Sequence, residues 1–296
     1  MRNLAPLSIL LSLMLAMSFT SLPIMAHGDT AEPSPALHVD LKVDTHLTAR
    51  ISQPDTHHLR VRFSNGATQQ IKLANNDTED AHYLEAADFN FDGFQDLALV
   101  TTEDMVNKGY QIFLFNPADT RLNALQLSSG SNTPIAGCEA FSNLQVKSAE
   151  RTLYSSCRVG PTWYIDAYRF SSDHHLYLYE TQGMLLNAMV PVTGKDGGPR
   201  DPARLVKTFD SQGTKIAQQI TAYEGGSAYL TIRNERLALH EKPGSPPTQR
   251  YLCNGDSVKV DEVSDDEKWL KVEFTPPNKG AIAGWVSLDD MGPTLE

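Results

Sequence analysis

The run Asp88-Phe89-Asn90-Phe91-Asp92-Gly93-Phe94-Gln95-Asp96 sets oxygen-bearing side chains at alternate positions around a glycine. Alternate residues of a tight loop turn the same way, so Asp88, Asn90 and Asp92 can converge on one point, as a hard cation requires. Gly93 supplies a sharp turn that a Cβ would resist. The Phe94 backbone carbonyl and the Asp96 carboxylate complete the expected oxygen shell. The donor set implies Ca²⁺ as the cofactor. An acidic surface turn without a metal is the plainer alternative, and it must account for five matching positions.

The loop is not an EF-hand. That motif needs a bidentate Glu at its twelfth position, and here that position, counted from Asp88, is Leu99. The stretch Leu97-Ala98-Leu99-Val100 reads as a buried strand rather than an exit helix. The pattern predicts a strand-loop-strand calcium clip, similar to the D-x-D-x-D-G loops of integrin-type and propeller-type repeats. A structural role is expected, because no second carboxylate cluster accompanies the loop to hold a metal-activated water.

Other chemistry has little support. The chain has no Gly-x-Ser-x-Gly elbow, no His-Glu-x-x-His helix and no glycine-rich phosphate loop. Asp265-Asp266 and Asp289-Asp290 sit in turn-like contexts and read as solvated surface. His57-His58 and His174-His175 are adjacent pairs, and neighbours on a strand point to opposite faces, so neither pair chelates alone. His27, as a mature N-terminus, would offer an amine and an imidazole to copper, but no second histidine has a distinctive spacing. The chain reads as a binding protein, not an enzyme.

The elements that position these residues begin after an export signal. Residues 1–26 combine Arg2, an apolar run from Leu4 to Met17 and a small residue, Ala26, suited to cleavage. The run is too short for a membrane span, and the expected location is the periplasm. The formal charge of −11 becomes −12 once Arg2 is removed. Such a balance argues against nucleic acid as partner and suits a basic protein. Of three cysteines, Cys138 and Cys157 lie in one β-rich region and are the expected disulfide in an oxidising compartment. Cys253 is expected to be a small buried residue, left free.

Residues 27–36, rich in Pro, Ser and charge, read as a disordered leader. From Leu37 the pattern alternates, as in His38-Val39-Asp40-Leu41-Lys42 and Leu59-Arg60-Val61-Arg62-Phe63. Turns recur at short intervals and no helical period develops. The predicted class is all-β: a propeller-like or meander antiparallel β-domain over 37–189, then a small SH3-like β-barrel over 226–296. Between them, 190–225 carries Pro191, Gly194, Gly197, Gly198, Pro199 and Pro202, and reads as a linker with strands that complete a neighbouring domain. The order Leu239-His240…Pro243, Leu252…Gly255-Asp256…Val258, Trp269-Leu270-Lys271-Val272 and Gly284-Trp285-Val286 resembles bacterial SH3 domains. That resemblance implies peptidoglycan as a partner of this segment, whereas Trp269 and Trp285 read more simply as core and rim packing.

A further stretch, Arg158-Val159-Gly160-Pro161-Thr162-Trp163-Tyr164, is an aromatic and Arg-bearing turn beside Cys157. Aromatic and Arg residues on a rigid loop favour protein interfaces, so Arg158, Gly160, Trp163 and Tyr164 are candidate partner-binding residues. A tight hairpin with Trp163 in the core is the equal alternative. The calcium loop, followed by Tyr110-Gln111-Ile112-Phe113-Leu114-Phe115, and Ser155-Ser156-Cys157-Arg158-Val159-Gly160 together resemble periplasmic calcium-binding immunity proteins related to the PliI-type lysozyme inhibitors. The resemblance covers about residues 80–180. It implies a lysozyme-like peptidoglycan hydrolase as partner. The inhibitory loop of PliI-type proteins carries Ser-Gly-x-x-Tyr. Aligned on Gly160, this chain has Val159 in place of Ser and Trp163 in place of Tyr, with Tyr164 next.

Overall fold

The structure, a computed structural model, describes residues 37–73, 82–102, 105–127, 133–184, 190–223, 225–277 and 280–291. The expected export signal, leader and His27 lie outside the described residues.

The fold is all-β and antiparallel, and its first half is a stack of meanders. The strands β1 (His38–Lys42), β2 (Thr48–Asp55), β3 (His58–Phe63) and β4 (Thr68–Lys72) form one sheet in chain order. Alternation dictates it: in β3, Leu59, Val61 and Phe63 are buried while Arg60 and Arg62 face water. A second meander follows with β5 (His82–Ala87), β6 (Asp96–Thr102), β7 (Lys108–Asn116) and β8 (Arg121–Ala124). Every residue of β6 from Asp96 to Thr101 is buried, because this sheet is a middle layer. Its Leu97, Leu99, Phe113 and Phe115 pack against Leu41, Ile51, Val61 and Phe63 of the first sheet. Its Ala98, Val100 and Ile112 face Leu153, Tyr168 and Leu178 of a third sheet. A strand with both faces covered loses its alternation and becomes a continuous apolar run.

The third sheet begins with β9 (Gln145–Lys147), β10 (Thr152–Val159), β11 (Thr162–Phe170) and β12 (Leu176–Met184). The Pro- and Gly-rich stretch after it contains four strands: β13 (Pro191–Gly194), β14 (Gly197–Pro202), β15 (Arg204–Phe209) and β16 (Lys215–Thr221). β15 and β16 complete the third sheet, in the order β16-β15-β12-β11-β10-β9. β13 and β14 instead join the C-terminal strands β17 (Ala228–Thr231), β18 (Leu237–His240), β19 (Pro247–Leu252), β20 (Ser257–Val263), β21 (Trp269–Phe274) and β22 (Ile282–Ser287). Residues 190–225 therefore tie two sheets together. Leu205 and Ile220 reach the core formed by Leu230, Leu239, Val258, Leu270 and Val286.

No closed barrel is found among the described residues, although one was expected from 226 onward. The C-terminal strands form one sheet ordered β14-β13-β17-β20-β21-β22-β18-β19, and β18 meets β22 through the single pair His240↔Trp285. Trp269 and Trp285 are both half-buried, and the Trp269 ring packs edge-on against the buried His240 at 4.8 Å. Among the described residues no helix is long and apolar enough to cross a membrane.

Candidate functional site

The predicted calcium loop connects β5 to β6, and parity builds it. Phe89 and Phe91 turn into the core shared with the third sheet, while Asp88, Asn90 and Asp92 turn the other way. Phe94 packs on the opposite core, with its ring 5.5 Å from that of Phe115. The loop is thus pinned by aromatic side chains in both cores. Phe91 holds a left-handed backbone (φ 63°) that a bulky residue resists. Arg151 secures it, with the guanidinium 5.7 Å from the Phe91 ring centre and Nη1 donating to the Phe91 carbonyl at 2.9 Å. Gly93 is left-handed too (φ 95°), as the turn requires.

The side-chain oxygens converge within the loop. The Asp88 carboxylate accepts the N–H of Asp92 (3.1 Å) and of Gly93 (2.9 Å). Asn90 Oδ1 accepts the same Asp92 N–H at 3.2 Å, and its Nδ2 donates to Asp92 Oδ2 at 2.8 Å. Asp92 Oδ1 accepts the Phe94 N–H at 2.9 Å. Asp96 sits beneath this turn, fully buried, and accepts the N–H groups of Phe89 (2.8 Å) and Phe115 (2.7 Å). Burial pushes its pKa up to about 7; the two N–H donors oppose the shift, and the nearby charges of Asp92 and Asp88 add to it.

This donor set fits a hard divalent cation. It is all oxygen, it combines two carboxylates and an amide oxygen on one turn, and the field of Asp88 and Asp92 reaches Asp96. Asp88, Asn90, Asp92, the Phe94 carbonyl and the Asp96 carboxylate would hold the ion. Asp96, whose two oxygens both take backbone N–H groups, anchors the loop from below. No group of three or more His, Cys, Asp or Glu side chains gathers as a metal shell among the described residues; the loop relies on an amide and a carbonyl as well.

The candidate partner-binding residues form the tip of the β10–β11 hairpin. Gly160 (φ 60°) and Pro161 make its two-residue turn. Register divides the four residues between faces. Arg158 pairs with Trp163, so these two share the outer face, and Trp163 is 37% exposed. The expected alternative, Trp163 in the core, is not what the structure has. Tyr164 pairs with Cys157 on the inner face instead. A Cβ on Gly137 would fall 2.7 Å from Tyr164, and one on Gly183 2.9 Å away. Both glycines therefore let the ring lie flat against the backbone. Tyr164 supports the tip and Arg158 and Trp163 present it. The Arg158 side chain is steadied by donating from Nε to the Gly160 carbonyl at 3.1 Å.

The base of the tip is held firmly. Cys138 and Cys157 form a disulfide, as expected. Asp166, fully buried two pairs further in, accepts the N–H groups of Gly137 (2.9 Å) and Cys138 (2.8 Å) and the Thr181 hydroxyl (2.7 Å). Burial raises its pKa against the pull of those donors. Asp166 was not among the expected site residues; its one signal in the sequence is a lone carboxylate in an aromatic strand, Trp163-Tyr164-Ile165-Asp166-Ala167-Tyr168. Cys253 is free, but exposed rather than buried. It follows the end of β19 in a turn, where its N–H donates to Asp256 Oδ2 at 2.7 Å.

Set against known proteins, the chain matches no family model, no curated protein and no solved structure.

Proposed function

We propose that this chain is a secreted, non-catalytic binding protein of the periplasm that holds Ca²⁺ in the Asp88–Asp96 loop and inhibits a lysozyme-like peptidoglycan hydrolase, as an immunity or protective protein. The observation that carries the reading is the hairpin tip. It presents Arg158 and an exposed Trp163 side by side on a base fixed by the disulfide, Tyr164 and Asp166. Glycoside hydrolases work with a pair of carboxylates flanking the scissile bond. A rigid wedge with a guanidinium and a flat aromatic complements such an acid-lined, sugar-stacking cleft. The net charge of −11 suits a basic enzyme as target and speeds encounter with it. The disulfide accords with an oxidising compartment.

Turnover of a peptidoglycan suspension by c-type, g-type and i-type lysozymes tests this. With calcium present, the full chain should slow at least one enzyme, and Arg158→Ala should relieve the inhibition. A chain that slows none of them removes the proposal.

A second reading has its own observation. An open groove of about 570 Å³ runs between β16 and the C-terminal sheet, lined by Ile216, Pro243, Trp285 and the carboxylates of Glu262, Asp265 and Asp266. In that reading the SH3-like segment docks on peptidoglycan and the meanders are a scaffold. Sedimentation with purified sacculi separates the two, since an inhibitor of a soluble hydrolase stays in the supernatant.

A further inference from the structure

The hairpin tip does not stand alone. Residues 105–107, which lead into β7, lie against the edge of β10, and Asn107 fastens them. Its Oδ1 accepts the Arg158 N–H at 2.9 Å and its Nδ2 donates to the Arg158 carbonyl at 3.2 Å. A side-chain amide thereby makes the pair of bonds that a neighbouring strand would make. Asn143 takes a similar place two pairs inward, with Nδ2 donating to the carbonyls of both Val106 and Ser156 at 3.0 Å. The Asn143 N–H also donates to the Lys108 carbonyl at 2.9 Å, and Lys108 N–H to Asn143 Oδ1 at 3.2 Å. The two turns are one rigid unit.

What this unit presents is apolar. Met105 is fully exposed (101%), Val106 is 39% exposed, Val159 58% and Trp163 37%. Four of the nine large apolar side chains exposed among the described residues thus lie on two adjoining turns. Met105 at full exposure adds nothing to any core, and exposed apolar side chains close together on a surface mark an interaction site; by the register, Val159 and Trp163 point to opposite faces of the hairpin and flank its tip. On a chain of net charge −11, residues 105–109 and 158–164 contain Lys108 and Arg158 and no carboxylate. Glu103 and Asp104, which precede Met105, lie outside the described residues.

We infer that Met105 and Val106 form a second wedge of the same protein-binding surface, resting on the rim of the acid-lined cleft that Arg158 and Trp163 enter. The inference rests on the hydrolase reading above. Its occupant is the protein rim of a carbohydrate hydrolase: the apolar residues meet apolar rim, and the cations meet the carboxylates that such a cleft requires. The Asn107 and Asn143 bonds set the spacing of the two wedges before the partner arrives, which lowers the ordering cost of binding.

The test measures inhibition constants of the full chain against whichever lysozyme of the panel it slows best, with calcium present. Met105→Asp should raise the constant by about tenfold, as for an interface residue outside the central hot spot, and Arg158→Ala should raise it further. The unfolding midpoint of Met105→Asp should not move, since the side chain packs on nothing. Tyr251→Asp, at an exposed aromatic on β19 (47% exposed), in a different sheet from the tip, is the control for added negative charge and should leave the constant unchanged. If Arg158→Ala weakens inhibition while Met105→Asp stays within about twofold, the second wedge is wrong and the hydrolase reading stands. If Tyr251→Asp weakens inhibition as much as Met105→Asp, the effect is one of net charge and the second wedge is again wrong. If wild type slows no enzyme, both readings fall together.

Discussion

The Asp88–Asp96 loop and the Gly160 hairpin tip both connect antiparallel neighbours, β5 to β6 and β10 to β11, yet their side chains are used in opposite ways. In the loop, aromatics go inward: Phe89 and Phe91 into one core and Phe94 into the other. Most of its side-chain bonds close within the loop, where the carboxylates of Asp88, Asp92 and Asp96 each accept a loop N–H, while Arg151 and Phe115 tie it to its neighbours. At the tip, an aromatic and a cation go outward, and the polar bonds run from other elements to its backbone. A region whose bonds are internal is built to hold its own shape. A region whose backbone is held by neighbours while its side chains stay exposed is built to present them. Substitutions should therefore damage stability at the loop and binding at the tip.

The largest stability effect is expected at Asp96. Replacing it with Ala leaves the Phe89 and Phe115 N–H groups buried without an acceptor, at about 1–3 kcal/mol each. Asp96→Ala should thus lose about 4 kcal/mol by denaturant unfolding. The same group sets a pH signature. Its folded pKa, about 7, lies above its ordinary 3.8, so the folded chain holds this proton more tightly than the unfolded one. The stability it contributes is full below about pH 4 and is lost as pH rises through about 7. In chelator, wild type should show that decline and Asp96→Ala should lack it. Bound Ca²⁺ favours ionised oxygens and should flatten or reverse the slope. A decline that is the same with and without calcium would break the assignment of the loop to a metal.

The disulfide comes next. Removing it as the double variant Cys138→Ser, Cys157→Ser reopens a loop with a sequence separation of 19 residues. Loop-closure entropy puts the cost at about 3 kcal/mol. Here the comparison becomes sharper, because this loss lies at the base of the tip and should weaken hydrolase binding as well, whereas Asp96→Ala acts on the fold alone. Calcium itself should stabilise by about 2.7 kcal/mol at a hundredfold excess over its dissociation constant. A melting curve with and without chelator reads it directly, and two superimposed curves would falsify the metal site.

Much of this contrast was legible before the fold was known, and the limit is physical. The loop was readable because a cation site depends on local spacing, and Asp88 to Asp96 is one contiguous stretch. The run Leu97-Ala98-Leu99-Val100 was readable as a buried strand because burial on both faces leaves no polar alternation. What required the structure was long-range pairing. The glycines and prolines of 190–202 signal turns faithfully, but they cannot say that β13 and β14 join one sheet while β15 and β16 join another. Asn107 was missed for the same reason: its role depends on Arg158, a partner from another sheet. Cys253 was expected inside because cysteine is usually buried, but the Gly255 turn (φ 91°) places it at the surface.

Trp163 and Tyr164 give the smallest expected stability effect and the finest division of the molecule. They are neighbours in sequence and both aromatic, so sequence reading placed them together as contact residues. The register Arg158↔Trp163 and Cys157↔Tyr164 sends them to opposite faces of β11. Tyr164 is closely packed by Gly137 and Gly183, and truncating a half-buried aromatic there should cost about 2 kcal/mol. Trp163→Ala should change stability by no more than about 0.5 kcal/mol, as for other surface positions. On hydrolase inhibition the order should invert, with Trp163→Ala the more damaging of the two per unit of stability lost. Calorimetry and inhibition on the same two variants decide it. A Trp163→Ala loss equal to that of Tyr164→Ala would mean that the tip is packed inward like the calcium loop, and that the division between a region that holds and a region that presents does not run through this hairpin.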